Sequence, residues 1–412
     1  MSTLLAMAWR NVFRNVRRSL LTATAMALAV AIVMGIGALQ HGMFDQMRDL
    51  MIGEKLGHVQ VQHPDYPVGR RLHDTVPEAG AVVEALEREP GVARVASRLF
   101  GSALLGTERK TEGVQLHGVD PVREDALRDI SEKLTAGSWL GEAGAHGIVL
   151  GDELARKLEV QVGGELVAVT QAADGSMGNE LYTVVGIVDT GSPSVDRAGA
   201  FLHRADLGEL LVLPDQVHEI VVVARDHSDA ALAVALEATQ GAVGDREATV
   251  RSWKEVDPST AQIFDFQAIS QWILMFFFYG VSGVGVVNTL LMSVLERTRE
   301  FGVMRAIGLR PTGVVALVVL EAVVLGTFAV LGGAVLGGLF DLYLVQVGVD
   351  FSVHGEGFAF GDLTMDPVVH AHVTPTNVWQ PIAGIFGFSV LAAIWPAVRA
   401  ARIQTIDALR EA

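Results

Sequence analysis

Glu296–Arg310, ERTREFGVMRAIGLR, is a fifteen-residue charged stretch between two long apolar runs, and its reading decides the fold. Charge is costly inside a bilayer, so the stretch is a short turnaround at one membrane face, with a crossing segment on either side. Its four arginines assign that face to the cytoplasm under the positive-inside rule. A stretch this short cannot fold as a domain, yet its charges alternate with Phe301, Val303, Met304, Ala306 and Ile307. That pattern predicts a short amphipathic helix that docks on something in the cytoplasm.

Outward from this stretch, hydropathy predicts four spans: Leu20–Leu39, Ala268–Leu295, Val314–Phe340 and Ile382–Trp395. The first three reach the roughly 20 residues that a hydrocarbon core of about 30 Å requires. The fourth has only fourteen residues, unless Ala397 to Ala401 extend it. The chain then divides into a cytoplasmic amphipathic helix (1–19), a first span with a stalk (20–51) and an outer α+β domain (52–258). A stalk and second span (259–295), the cytoplasmic helix (296–310) and a third span (311–340) follow. An outer loop (341–380), a fourth span (381–398) and a cytoplasmic tail (399–412) complete it. The expected fold class is thus a membrane protein of four transmembrane helices with a large extracytoplasmic α+β domain inserted between the first and second.

Charge by segment gives the same topology. The region before Leu20, the charged stretch and the tail from Ala397 hold eleven arginines and four acids. Gln40–Gln267 holds 20 basic and 37 acidic residues, and Asp341–Gln380 holds five acids and no base. Both termini are therefore expected in the cytoplasm, with an acidic domain outside. The first apolar run is twenty residues long and follows nineteen basic-flavoured ones, which fits a retained anchor better than a cleavable signal. With no cysteine, the outer domain has no disulfides and the chain no thiol chemistry.

Leu4, Leu5, Ala8, Trp9, Val12, Phe13 and Val16 recur at helical spacing opposite Arg10, Asn11, Arg14 and Asn15, which predicts a helix lying in the cytoplasmic interface. Ala23, Ala27, Ala31 and Gly35 in the first span, and Ala329, Gly333 and Gly337 in the third, permit close helix packing and make candidate subunit contacts. Helical periodicity continues past the first span through Met43, Phe44, Met47 and Met51. A helix from Leu20 to Met51 would be about 48 Å long. Ile263, Phe266 and Ile269 extend the second span in the same way. Met43, Phe44, Met47 and Phe266 are apolar residues just outside the bilayer, placed to line a lateral opening or simply to pack stalk against stalk. In the outer domain HVQVQ, GVQLHGV, ELVAVTQ, LYTVVGIV and EIVVVAR read as strands, and GDELARKLEV and DAALAVALEAT as helices. ADGSMGN (Ala173–Asn179) has the chemistry of a hairpin tip.

There is no GxxxxGK[ST] loop, HExxH or GxSxG, so neither nucleotide binding by a P-loop nor hydrolytic catalysis is expected on this chain. His370 and His372 with Asp366 are metal-ligand types on an acidic loop, but solvated histidine is the better reading and no metal is expected. His58 and His63 are read as exposed at a strand end. Glu321 is the one acid inside a predicted span, near its cytoplasmic end, where it can pair with an arginine.

ERTREFGVMRAIGLRPTGVVALVVLEAVVLGTFAVLGGAVLG (296–337), WPAVRAARIQTIDALREA at the C-terminus and AWRNVFRNVRRSLLT (8–22) resemble the FtsX-like permease domain shared by the MacB, LolC and LolE proteins. GIVLGDELARKLEVQVGGELVAV and YTVVGIVDTGSPSVDRAGAFLHRADLGELL are similar to the MacB-type periplasmic core. The resemblance implies a permease of an ABC transporter, with ATP and magnesium on a separate ATPase subunit and no cofactor on this chain. It makes Glu296–Arg310 the coupling helix, with Glu296, Arg297, Arg299, Glu300, Met304, Arg305, Ala306 and Gly308 facing the ATPase, and puts Glu321 on the family's recurrent intramembrane glutamate. Gln404-Thr405-Ile406 departs from the family, which usually has a proline before its ALR. The last outer loop, VGVDFSVHGEGFAFGDLTMDPVVHAHVTP, is similar to that of the free-standing permeases grouped with LolC and LolE. This implies release of lipoproteins from the inner membrane to a periplasmic carrier, with Met43, Phe44, Met47 and Phe266 as acyl-chain contacts. The implied partners are the ATPase, a second permease copy or paralogue, lipoprotein cargo, its carrier and membrane lipids, with no nucleic acid. The rival readings are MacB-like export of drugs or peptides, and FtsX-like regulation of cell-wall hydrolases.

Overall fold

The computed structural model describes residues 2–352, 358–360 and 363–402. The chain forms two compact units, one of Met1–Asp45, Phe264–Val353 and Val368–Ala412, the other of Gln46–Ile263 and His354–Pro367.

The first unit is helical. Its helices are α1 (Ser2–Arg14), α2 (Val16–Arg48), α8 (Pro258–Glu296), α9 (Thr298–Ala306), α10 (Pro311–Gln346) and α11 (Pro375–Ala401), and Val349–Asp350 pairs with Val368–Val369. Among the described residues, α2, α8, α10 and α11 are long and apolar enough to cross a membrane. Both α10 and α11 open on proline, whose missing N–H costs nothing in a first turn, and the Thr374 hydroxyl accepts from Asn377 N–H to cap α11. Two sequence expectations change here. The fourth span is not fourteen residues but part of a 27-residue helix, because the helix continues through Pro381, Gln380 and Arg399, where hydropathy stops. The third runs past Phe340, so Asp341 belongs to a helix instead of an outer loop; it is only 3% exposed.

The small residues of α2 and α10 face each other within one chain. A Cβ on Gly333 would meet Val30 and the Ala27 carbonyl, and one on Gly337 would meet Met34 and the Ala31 backbone. The stripes read as candidate subunit contacts are therefore spent inside the unit, where close backbone approach lets Met26, Val30 and Met34 enter one core with Val314, Val318 and Ile385.

Early in the second unit, a π-helical turn, Asp49–Leu56, follows α2 in the chain. Ten strands follow: β1 (Val59–Gln62), β2 (Val92–Gly106), β3 (Thr111–Val119), β4 (Leu134–Gly137), β5 (Gly147–Gly151), β6 (Glu165–Gln171), β7 (Met177–Val188), β8 (Gly199–His203), β9 (Glu219–Ala224) and β10 (Thr249–Ser252). Helices α3 (Ala79–Glu87), α4 (Pro121–Arg128), α5 (Asp152–Leu158), α6 (Arg204–Leu210) and α7 (Asp229–Val243) pack on them. The order β10-β1-β9-β2, all antiparallel, with α3 between β1 and β2 and α7 between β9 and β10, is a ferredoxin-like split βαβ layout. Everything between β2 and β9 is an insertion. Its strands close a circuit, β2-β3-β8-β5-β7-β6 and back to β2, since β6 pairs with both β7 and β2. Each part has its own core: Val59, Val82, Leu86, Ile220 and Val222 in the sheet, and Leu116, Ile148, Leu166, Tyr182 and Leu202 in the circuit. The β6–β7 turn carries Gly175 at φ +85° and is the hairpin tip expected from ADGSMGN.

Buried charge ties the π-helical turn into this sheet. Arg98 contacts Glu124 at 2.8 Å and donates to the Lys55 carbonyl at 2.8 Å. Burial opposes ionisation of Glu124, but Arg98 and Arg128 outweigh it and hold the carboxyl below its usual range.

Candidate functional site

Helix α9 is short for identifiable reasons. Arg297 leaves helical geometry at φ −114°, ψ 19°, and Gly308 at φ +104° ends the helix in a region that side chains with a Cβ rarely adopt. Between them, Phe301 is buried and anchors the helix in the unit's core.

Arg297 is 5% exposed. It donates from Nη1 to Glu321 Oε1 at 2.8 Å and from Nε to Glu300 Oε2 at 2.7 Å, and its guanidinium lies 5.3 Å over the Phe301 ring. Asn11 Nδ2 donates to the same Glu321 oxygen at 2.6 Å. Arg14 reaches Glu300 Oε1 at 2.6 Å, and Arg18 holds Glu296 with two bonds of 2.5 and 3.0 Å. The planar fork of each arginine suits such multiple carboxylate contacts. Burial alone would raise the Glu300 carboxyl; the bonds from Arg297 and Arg14 outweigh it and hold the group below its usual range. The result is a clamp that joins α1, the start of α2, the end of α8, α9 and α10. Glu321 pairs with an arginine, as its position near the end of the span suggested.

The residues assigned to an ATPase face separate into three groups. Glu296, Arg299, Ala306 and Gly308 are exposed; Glu300, Met304 and Arg305 are half-buried; Arg297 is buried. Arg297 thus points into the unit instead of out of it, and Arg305 donates to the Ala401 carbonyl at 3.3 Å, holding α9 to the end of α11. The exposed face also carries Val303 and Ile307, the latter 83% exposed. The sequence alone shows these two only as part of an alternating pattern. Helical spacing contained the signal, because Arg297 lies four residues before buried Phe301 while Val303 and Ile307 share another face.

The four candidate acyl-chain contacts differ in exposure. Phe44 packs edge-to-face on Phe264 at 5.9 Å, Met43 is half-buried and Met47 is buried. Phe266, two residues past Phe264 and so on the other side of α8, is 66% exposed. Of the loop histidines, His370 Nδ1 lies 3.1 Å from the Val345 carbonyl and His372 pairs with Asp45. Among the described residues no three metal-type ligands come together.

His58, expected to be solvated, is only 2% exposed, because β1 lies between β10 and β9 instead of at an edge. Its Nδ1 accepts from Ala224 N–H at 3.1 Å, so its Nε2 carries the proton toward His227 Nδ1 at 2.9 Å. His227 Nε2 then donates to Asp49 Oδ1 at 2.6 Å. Burial, with His227 adding to it, pulls His58 down to about 4. The departure at Gln404-Thr405-Ile406 lies outside the described residues.

Residues 19–239 match the family model of the MacB-like periplasmic core domain, and residues 272–405 that of the FtsX-like permease C-terminal region. Four helices able to span a membrane, with a folded α/β domain inserted between the first and second, define a multi-pass permease. The chain belongs to the MacB-like periplasmic core family, with the FtsX-like permease region as its C-terminal part.

Its relatives include the lipoprotein-releasing system transmembrane protein LolC of Neisseria meningitidis serogroup B, 26% identical over 336 residues and 79% of each chain. The lipoprotein-releasing system transmembrane protein LolE of Haemophilus influenzae is 21% identical over 424 residues, 99% of each. The macrolide export ATP-binding/permease protein MacB of Campylobacter jejuni subsp. jejuni is 32% identical over 133 residues, 31% of this chain and 17% of that one.

Proposed function

We propose that this chain is the inner-membrane permease subunit of an ABC transporter that releases lipoproteins to a periplasmic carrier, with ATP and magnesium on a separate ATPase. The observation that carries the proposal is α9: a short helix clamped to two neighbours by buried charge, yet presenting an exposed face of Arg299, Val303, Ala306 and Ile307. A helix that is rigid on one side and bare on the other is suited to take a push from a partner. Likeness to LolC and LolE along most of the chain supports the cargo. Both termini and α9 lie in the cytoplasm in this reading, as the arginine distribution requires. Extracting three acyl chains of roughly fifteen carbons costs on the order of 35 kcal/mol at about 0.8 kcal/mol per CH₂, which demands a chemical energy source. Helix α2 precedes β1 in the chain and helix α8 follows β10, so in this reading ATPase motion reaches the periplasmic domain through them. A second copy or a paralogue completes the transporter, and nucleic acid has no part in it.

Export in the manner named for MacB is the second reading, favoured by the higher identity to MacB over 133 residues. Purification in mild detergent followed by mass spectrometry separates the two. Triacylated lipoproteins travelling with an ATPase support release, whereas an ATPase with a periplasmic adaptor or outer-membrane channel supports export and sinks the lipoprotein assignment.

Ile307→Asp together with Val303→Asp is expected to weaken retention of the ATPase subunit at least 30-fold, since each replaces an apolar contact of about 1–2 kcal/mol with a charge. Membrane insertion should be unaffected. Undiminished co-purification and cargo release would remove α9 from the coupling role.

A further inference from the structure

The first nineteen residues hold Arg10, Arg14, Arg17 and Arg18 and no acid. Two of these are spent within the chain, Arg14 on Glu300 and Arg18 on Glu296. Arg10 is exposed, and no acidic side chain among the described residues pairs with it. With Arg14 one turn further on, it borders an open surface hollow of about 590 Å³ along α1, together with Met7, Trp9, Asn11 and Phe13 of the same helix.

The depth of this hollow follows from its neighbours. Trp9, Phe13 and Phe328 form a three-ring cluster with centroids 5.2, 5.3 and 5.8 Å apart. Phe328 lies seven residues beyond Glu321 on α10, about 10 Å deeper along that helix. Asn11, on the other flank of α1, bonds Glu321 itself. Helix α1 therefore turns half-exposed aromatic rings toward hydrocarbon and arginines toward water, and the hollow opens where the two meet. That boundary is the level of lipid phosphates, where aromatic side chains and arginine heads both settle.

We propose that this hollow binds the headgroup phosphate of an anionic phospholipid of the surrounding leaflet. Arg10 supplies the unspent guanidinium, Arg14 is shared between the phosphate and Glu300, and Trp9 and Phe13 cover the glycerol and upper acyl chain. Charge complementarity selects the occupant: a basic, acid-free helix meets a lipid carrying net negative charge, while a zwitterionic headgroup brings its own cation to the same place. Binding does not depend on what the transporter carries, so its test can fail without touching the proposed function.

The test is native mass spectrometry of the full-length chain in mild detergent, titrated with phosphatidylglycerol or phosphatidylcholine of identical acyl chains. Phosphatidylglycerol is expected to be retained preferentially. Arg10→Gln should lower its affinity about fivefold, and Arg10→Lys should retain most of it. Arg17→Gln makes the same change in net charge outside the hollow and should have little effect. Equal retention of both lipids overturns the proposal. So does an equal loss in R10Q and R17Q, which would mean a diffuse charge effect and no site. Displacement of phosphatidylglycerol by millimolar inorganic phosphate would mean a general anion site, and would also overturn it.

Discussion

Arg297→Leu is expected to cost about 3–5 kcal/mol, because it leaves the Glu321 carboxylate buried with only Asn11 to meet it. The guanidinium holds two carboxylates on different elements, so its loss also leaves Glu300 held by Arg14 alone. Thermal unfolding of the detergent-purified chain should shift down. Amide exchange should rise first in α1, which depends on Glu321 and Glu300 for its polar contacts. Glu321→Leu alone should cost a similar amount by stranding Arg297. The double variant Arg297→Leu/Glu321→Leu is expected to regain most of the loss, because a buried ion pair is often replaceable by apolar side chains of similar volume. Additive losses in the double variant would show that the two side chains do not act as a pair.

Acid is expected to destabilise the periplasmic domain steeply. His58 and His218 are pulled down to about 4 and His117 to about 3, in each case mainly by burial. In the unfolded chain the same groups take up protons near pH 6.5. Between these values the unfolded state binds more protons than the folded one, so stability rises with pH there. It is fully present above about pH 6.5 and is lost progressively as the pH falls toward 4, on the order of 3 kcal/mol for each of His58 and His218. Hydrogen exchange in β1 and β9 of the intact chain should accelerate sharply between pH 7 and pH 5, beyond the intrinsic chemical dependence. A corrected exchange rate that stays flat over that range would contradict the assignment of neutral, buried imidazoles.

What could be read from the sequence depended on whether a feature is local. The spans announced themselves by composition, and Glu296–Arg310 by the contrast with its flanks. The end of α10 was missed because a hydropathy window stops at Asp341, although a carboxylate can be buried within a helix that continues. The inward turn of Arg297 was missed because the arginines of a charged stretch look equivalent until one of them meets Glu321 from 24 residues away. Asn11 was seen only as part of a polar face; its partner lies 310 residues further on. Individual strands were legible from alternation, but not their order. The pairing of β6 with β2 joins residues more than 60 positions apart, and the ferredoxin-like layout is hidden by the insertion that separates β2 from β9. His58 was misjudged for the same reason, since nothing in HVQVQ says that β1 has a neighbour on each side.

That insertion has a consequence for how such permeases diversify. The chain arrives at the domain through β1 and departs through β10, and these strands are paired directly, Val59 opposite Ser252. The strands that bracket the insertion, β2 and β9, are also direct neighbours. The closed circuit is therefore a module grafted onto one edge of a four-stranded mount, leaving and rejoining it at adjacent points. It can be resized, exchanged or reshaped while the mount keeps its register.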